Sequence, residues 1–514
     1  MSTPSLSTLP EELQTHILEY IYKYSLIDLR LVSHTFSRLI TPIIFRAIRV
    51  RAYRDEPQRF LNIAMTPRLR CHVREVTCDT WTGSFPTEKR LELVDKFFEA
   101  IPSICVFPKL DTLNIRLERD GFHMYHNTQY RLLEMLFRCM EGAWQVHNYI
   151  GRDTTSSPEV LSAGISSQPQ VSTANNTSPE VSGQQAKTGV SRPLKTLTIS
   201  NLVDFSSVKA MLSFQSVMNS GALKDLRIST AELNTQKCCQ DVHHDLLDTV
   251  LSLRVAGNLQ VLSLFFLKSW GWFPNMDFRL VGANDLPNLK VLALGQFEFS
   301  QWWQVEWIGS LGIEKLYLDE CTVLHSDRNR ANSTAVSVCP EKAQWVKSNA
   351  WREGSTYHTH TRWHHIFEHW ANTMPNLRVF KLGQGWDLDD SCSWKAIDPT
   401  YEGDFYEHVE EEHEAIFQPF RDTYHQHFEC PIPHTTGTGI RRYGPEAAQA
   451  NAAVFTYVEH IKGFKGFGHT YTDSPGHGKD FMTVSSEEKE RDMKAFDKFL
   501  TVVETRRKGL AGKE

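Results

Sequence analysis

A short apolar rhythm recurs along this chain: an apolar residue, two residues, a second apolar residue, one residue, a third. It occurs at Val73-Val76-Cys78, Leu110-Leu113-Ile115, Leu194-Leu197-Ile199 and Leu223-Leu226-Ile228. It returns at Leu259-Leu262-Leu264, Leu289-Leu292-Leu294, Ile313-Leu316-Leu318 and Leu377-Phe380-Leu382. The alternation of the last two positions predicts a strand with one buried face, and helically spaced apolar residues lie between copies. Leu91, Val94, Phe97, Phe98 and Ile101 form one such stretch; Leu246, Leu247, Val250 and Leu251 form another. Strand-then-helix units bury their apolar faces only by stacking on neighbours, which predicts a curved array with a parallel sheet inside.

The stretch from Leu9 to Val50 obeys a helical period and predicts three short helices. Pro10 suits a first helical turn, and Glu11 and Glu12 face its positive dipole end. Leu13, Ile17, Tyr20 and Ile21 follow, with Leu18 widening the stripe. Ser25 is expected to cap a second helix facing Leu26, Leu29 and Val32. Ser33 is expected to cap a third, with Phe36, Leu39 and Ile40, ended by Thr41-Pro42 before a last short piece, Ile43 to Ile48. About forty residues bury too little of their own surface to hold so many large side chains. A partner is therefore expected on a face built from Leu9, Pro10, Leu13, Ile17, Leu18, Leu29, Val32 and Phe36.

Leu9-Pro10-x-Glu12-Leu13, Ile17-Leu18, Leu29-Arg30-Leu31-Val32-Ser33-x-x-Phe36 and Pro42-x-x-Phe45-Arg46 stand in the order of an F-box. Residues 5–50 resemble that family as it occurs in filamentous fungi. Many members carry Asp-Leu where this chain has Ser25-Leu26, and serine serves the same capping role. The resemblance implies docking on the Skp adaptor of SCF-type cullin–RING ubiquitin ligases, and through it on a cullin. The rest of the chain would then select a protein substrate.

The strand rhythm in turn resembles degenerate leucine-rich repeats. In that family an Asn or Cys follows the pattern and hydrogen-bonds the turn backbone. Here only Cys321 stands at that place; Trp81, Glu118, Leu202, Ala231, Leu267, Phe297 and Gly385 fill the others. The expectation is an α/β chain: an all-α F-box, then an irregular leucine-rich-repeat-like solenoid over 60–395 with a parallel sheet. An ordinary α/β sheet with crossover helices uses the same local pattern and stays open as an alternative. No glycine-rich phosphate loop follows any of these strands, which weakens a nucleotide-binding form of it.

Within that span, residues 152–192 are dominated by Ser, Thr, Gln, Pro and Gly, a composition that cannot drive folding. A disordered insertion is expected, a passive tether or one marked at Ser157-Pro158 and Ser178-Pro179. Residues 396–514 read as an irregular extension closed by a capping helix, 485–508. Ser485 and Glu488 make a capping-box pair, and Met493, Phe496, Phe499, Leu500 and Val503 form its stripe. Gly509 is its expected end.

Candidate chemistry concentrates late in the chain. His360 and His364, and separately His365 and His369, are four apart, a zinc spacing. The H-E-x-x-H pattern is absent, and no Cys pair or carboxylate stands at ligand spacing nearby. The other reading makes Trp363, Ile366, Phe367 and Trp370 the buried stripe of a helix, with its histidines on the surface. We therefore expect no metal, no cofactor and no catalytic residue. Eleven of the 13 tryptophans fall between Trp270 and Trp394, filling an irregular core or furnishing a recognition surface. Exposed members of the group Trp270, Trp272, Trp302, Trp303 and Trp386 are the substrate-binding candidates.

Net charge is −6 with a pI of about 6.4, so no global basic field points to nucleic acid or anionic membrane. The ten cysteines are scattered, without a C-x-x-C pair, which fits reduced thiols in cytoplasm or nucleus. No apolar run approaches the roughly 18 residues of a membrane span, and the first residues lack signal-peptide features. Three functions follow: a non-catalytic receptor of a ubiquitin ligase, an Skp-binding scaffold outside the ligase, or a histidine-dependent metal enzyme.

Overall fold

The computed structural model describes residues 9–18, 20–21, 23–80, 87–117, 126–142, 193–202, 212–230, 253–271, 278–319, 321–327, 345–346, 356–358, 360–383, 457–460, 479–481 and 485–511. The expected insertion at 152–192 and the stretch Leu246 to Leu251 lie outside them.

Three helices open the chain: α1 (Glu11–Leu18), α2 (Lys23–Val32) and α3 (His34–Ile44). Ser33 caps α3 as the sequence predicts, its hydroxyl accepting the Phe36 N–H at 3.2 Å. Two boundaries differ from expectation. Helix α2 starts at Lys23, so Ser25 lies inside it. Helix α3 runs through Pro42, which deletes one backbone bond while Phe45 N–H still closes on the Thr41 carbonyl at 3.1 Å. The expected separate piece from Ile43 to Ile48 is divided: Ile43 and Ile44 end α3, and Ala47 and Ile48 open strand β1 (Ala47–Arg51), which already belongs to the sheet. Phe45-x-x-Ile48-x-Val50 is in fact a ninth copy of the apolar rhythm.

Strands β2 (Glu75–Asp79), β3 (Thr112–Arg116), β4 (Thr196–Leu202), β5 (Asp225–Thr230), β6 (Val261–Trp270), β7 (Val291–Phe299) and β8 (Lys315–Asp319) follow. Beyond them come β9 (Thr322–Asp327), β10 (Trp345–Val346), β11 (Thr356–His358) and β12 (Val379–Gly383). Strands β1 to β8 and then β12 pair in parallel, so position in the sheet follows position in the chain. A doubly wound sheet would reverse its order at a switch point. This ladder does not.

Register explains the rhythm. Ile48, Val76, Leu113, Leu197, Leu226, Leu262, Leu292, Leu316 and Phe380 are successive register partners across the ladder. So are Val50, Cys78, Ile115, Ile199, Ile228, Leu264, Leu294, Leu318 and Leu382. Both rows are buried in one core with Phe60, Phe97, Leu132, Leu136 and Phe214 of the intervening helices. Those helices are α4 (Glu56–Met65), α5 (Pro67–Arg70), α6 (Thr87–Ala100), α7 (His126–Glu141), α8 (Leu212–Met218) and α9 (Leu253–Ala256). A second regularity stitches the copies together. The carbonyl just before each strand accepts two N–H groups from the next unit, at 2.7–3.1 Å. Arg46, Arg74, Asp111, Lys195, Lys224, Gln260, Lys290 and Glu314 supply these carbonyls in turn. Each backbone end therefore finds its partners only in a neighbouring unit.

The far end departs from the plain ladder. At Gln296, where φ is 58°, β7 bulges, so Phe297 and Phe299 point to the same core as Leu292 and Leu294. The end of β7 pairs with β9, which carries β11 and β10 antiparallel beyond it. Part of the extension expected to be irregular adds two strands here. β13 (Tyr457–His460) lies parallel to β9, and β14 (Lys479–Phe481) is antiparallel to β13.

Helices α10 (Trp302–Ser310), α11 (Trp363–Thr373) and α12 (Ser486–Ala511) complete the described chain. Helix α12 continues through Gly509, where the sequence suggested an end. It covers the last strand: Phe496 and Phe499 pack on Phe367 of α11 and Phe380 of β12. Arg362–Glu488 at 3.1 Å and Arg506, which donates to the Ala371 and Met374 carbonyls at 2.6 and 2.8 Å, tie α12 to α11.

Candidate binding surfaces

The helical unit has its own small core of Leu18, Leu26, Phe36, Leu39, Ile40 and Ile44. Two of the eight expected docking residues, Leu18 and Phe36, thus hold the unit together. Leu9 and Leu29 are half-buried, and Pro10 is exposed. Leu13, Ile17 and Val32 lie open, joined by Tyr20, Ile27 and Leu31, with Leu31 81 % and Val32 70 % exposed. Large apolar side chains this open on a unit this small are the mark of an unpartnered contact face. Glu11 and Arg38 clamp α1 to α3 with hydrogen bonds of 2.7 and 2.9 Å, and that contact holds the Glu11 carboxyl below its ordinary range.

The tryptophan candidates divide. Trp270 is a core residue: 1 % exposed, its ring N–H donates to the Gly295 carbonyl at 2.6 Å and its ring meets Phe297 in a T-shaped contact. It presents nothing to a partner, which corrects its place among the candidates. Trp302 is exposed, edge-on to His369, and Trp303 is half-buried beneath the Arg279 guanidinium. Trp272 and Trp386 lie outside the described residues.

The histidine stretch forms α11 with Trp363, Ile366, Phe367 and Trp370 buried. His364 turns to the buried Asp492 of α12, and His369 lies against Trp302. Burial and the neighbouring His364 push the His365 ring below its ordinary pKa. Among the described residues, no three His, Cys, Asp or Glu side chains come together where a metal ion could be held. Cys321 donates to the Leu294 carbonyl, inside strand β7 rather than a turn, at 3.4 Å.

The second face of the ladder, opposite the apolar rows, is a feature that sequence reading passed over. The residue between the two buried positions of each strand points there: Thr77, Asn114, Thr198, Arg227 and Ser263, then Ala293 and Tyr317. The face thus changes along its length, polar at β2 to β5 and apolar where Ala293 and Tyr317 meet Val291 and Val379. In the polar part, Asn114 donates from Nδ2 to Glu75 Oε1 at 2.8 Å and to Thr77 Oγ1 at 3.4 Å. Arg116 faces Asp79 at 3.5 Å, and Arg227 forks onto Asp225, with Nε to Oδ1 at 2.7 Å. Burial raises the Glu75 carboxyl above its ordinary range, offset in part by the Asn114 bond and by Arg46 and Arg227. The signal was present in the sequence as the residue inside each apolar rhythm, polar in the copies from Val73 to Leu264.

A scan against protein-family models finds no match to this chain, and a search of curated proteins finds none either. Among the described residues, no helix is long and apolar enough to cross a membrane.

Proposed function

We propose that this chain is the substrate-recognition subunit of an SCF-type cullin–RING ubiquitin ligase. The helices α1 to α3 serve as an F-box that docks on the Skp adaptor, and the ladder serves as a leucine-rich-repeat-like solenoid that holds a protein substrate. The observation that carries the reading is the open apolar face of Leu13, Ile17, Tyr20, Ile27, Leu31 and Val32. Four of these six, Leu13, Ile17, Leu31 and Val32, belong to the motifs that resemble an F-box. Burying each such side chain contributes about 1.5–3 kcal/mol before association costs are subtracted.

Two further observations support it. The chain-ordered ladder, stitched unit to unit, suits a repeat scaffold, and α12 covers the apolar end that such a scaffold would otherwise expose. Catalysis by such a receptor is proximity alone: tethering raises the effective concentration of substrate lysines beside a charged conjugating enzyme. Cytoplasm or nucleus is the compartment this role requires.

The test is capture of recombinant Skp adaptor and cullin by the purified full chain. Retention of both supports the receptor; retention of adaptor without cullin assigns a scaffold outside the ligase. No adaptor retention overturns the reading.

A further inference from the structure

The polar part of this second face contains three buried oxygens with no hydrogen-bond partner among the described residues: Asn114 Oδ1, Thr198 Oγ1 and Ser200 Oγ. Asn114 and Ser200 are each 1 % exposed and Thr198 is 8 % exposed. Register gathers them: Asn114 stands opposite Thr198, Arg116 opposite Ser200, and Thr198 and Ser200 share one face of β4. Buried polar groups in folded proteins are almost always paired, so three orphans side by side mark a missing partner.

The chemistry of that partner follows from what is already taken. The Glu75 carboxylate only accepts, which fixes the Asn114 amide with its nitrogen toward Glu75 and leaves an accept-only oxygen free. The two hydroxyls accept as well as donate, so the Asn114 oxygen sets the demand and a donor can also serve them. The missing group is therefore a donor. The nearby guanidiniums are engaged, Arg116 with Asp79 and Arg227 with Asp225, whereas Glu75 forms no ion pair among the described residues. Glu75 is half-buried, as are Thr112, Thr196 and Asp225 beside it, so the site opens at the N-terminal ends of the strands. A carboxylate at the mouth and neutral oxygens on the floor suit a compact cation that carries several donors.

We propose that this site binds a primary ammonium group, presented by a lysine side chain or by the N-terminus of a partner chain. Such a group has three N–H donors and no acceptor, matching Glu75, Asn114 and Thr198. A guanidinium is a flat fork and matches dispersed single oxygens poorly. A metal ion would find only one carboxylate in this set. The raised proton affinity of Glu75 agrees, since a bound cation would offset the cost of its buried charge. The site stands on the sheet alone; only its use as a substrate-reading element rests on the receptor function proposed above.

The experiment is saturation-transfer NMR and titration on the full chain, with N-acetyl-lysine methylamide and glycinamide as probes. The ε-acetylated lysine compound, butylguanidine and inorganic phosphate serve as comparisons. Saturable binding of either amine, with the acetylated compound silent, is the expected result. Preference for the lysine compound assigns a side chain, and preference for glycinamide assigns an N-terminus. Glu75→Gln and Thr198→Val should each weaken binding about tenfold, the scale of one charge-assisted hydrogen bond. Thr198→Val should also raise Tm, because it removes an unpaired buried hydroxyl, which separates lost binding from lost folding. Silence of both amines would leave ordered water as the partner and overturn the proposal. So would binding of phosphate in their place, or amine binding unchanged in both variants. Failure of adaptor capture would sink the receptor reading and leave this site standing.

Discussion

His364 and Asp492, 128 residues apart, meet in a double contact. The same Asp492 oxygen lies 2.7 Å from the His364 ring Nδ1 and accepts the His364 backbone N–H at 2.9 Å. The Asp492 side chain is fully buried, so water cannot replace it. This contact fixes the cap α12 on α11. Asp492→Ala should cost roughly 1–3 kcal/mol, the penalty for stranding a buried donor. Hydrogen exchange should then quicken in α12 before it changes in β2 to β5. Asp492→Asn keeps an acceptor and should lose less.

Gly271 and Gly509 should respond in opposite directions. At Gly271 φ is +108°, and an added Cβ would lie 2.7 Å from the Glu298 carbonyl oxygen, which is backbone and cannot swing aside. Gly271→Ala should therefore destabilise by at least about 2 kcal/mol. Gly509 sits within α12 with nothing near its missing Cβ. Gly509→Ala should stabilise the helix by about 0.5–1 kcal/mol. Thermal melts of the two variants, run side by side, check both signs.

What the sequence disclosed depended on how local each cause is. The apolar rhythm is local, so the strands and the buried stripe of α11 were legible, as was the Ser33 cap. The ninth copy at Phe45-x-x-Ile48-x-Val50 hid because it adjoins a helical period. The bulge at Gln296 shifts the phase of β7, so Phe297 and Phe299 belong to the core against strict alternation. Asn114 and Thr198 hold the same place in successive copies of the rhythm, so stacking the copies in register brings them face to face across the long segment between their strands. Trp270 illustrates the limit of composition: residue type alone does not tell a binding tryptophan from a core one.

Glu75 gives the fold a pH dependence with a defined sign. Its carboxyl is raised above the ordinary value chiefly by burial, so the folded chain holds a proton that the unfolded chain releases. Between the ordinary and the raised pKa, stability must fall as pH rises, and below the ordinary value the penalty vanishes. Glu75→Gln should remove this slope while keeping an acceptor for Asn114. Chemical denaturation across the carboxylate range should show the parent losing stability relative to the variant with rising pH. A constant difference between them would assign Glu75 no such role.

The helical unit allows docking and folding to be separated. Leu18 is fully buried among α1 to α3, whereas Leu13, on the same helix, is 50 % exposed. Leu18→Ala should open a cavity and cost about 2–5 kcal/mol in the unit, visible as early loss of helical signal on heating. Leu13→Asp removes no internal contact of that core and should leave the melt unchanged. If the open face takes the adaptor, the same substitution places a charge in the middle of an apolar contact and should abolish capture, because an unpaired charge is not buried without a large penalty. Capture by Leu13→Asp at the level of the parent chain would show that this face is not the docking surface, whatever the adaptor binds instead.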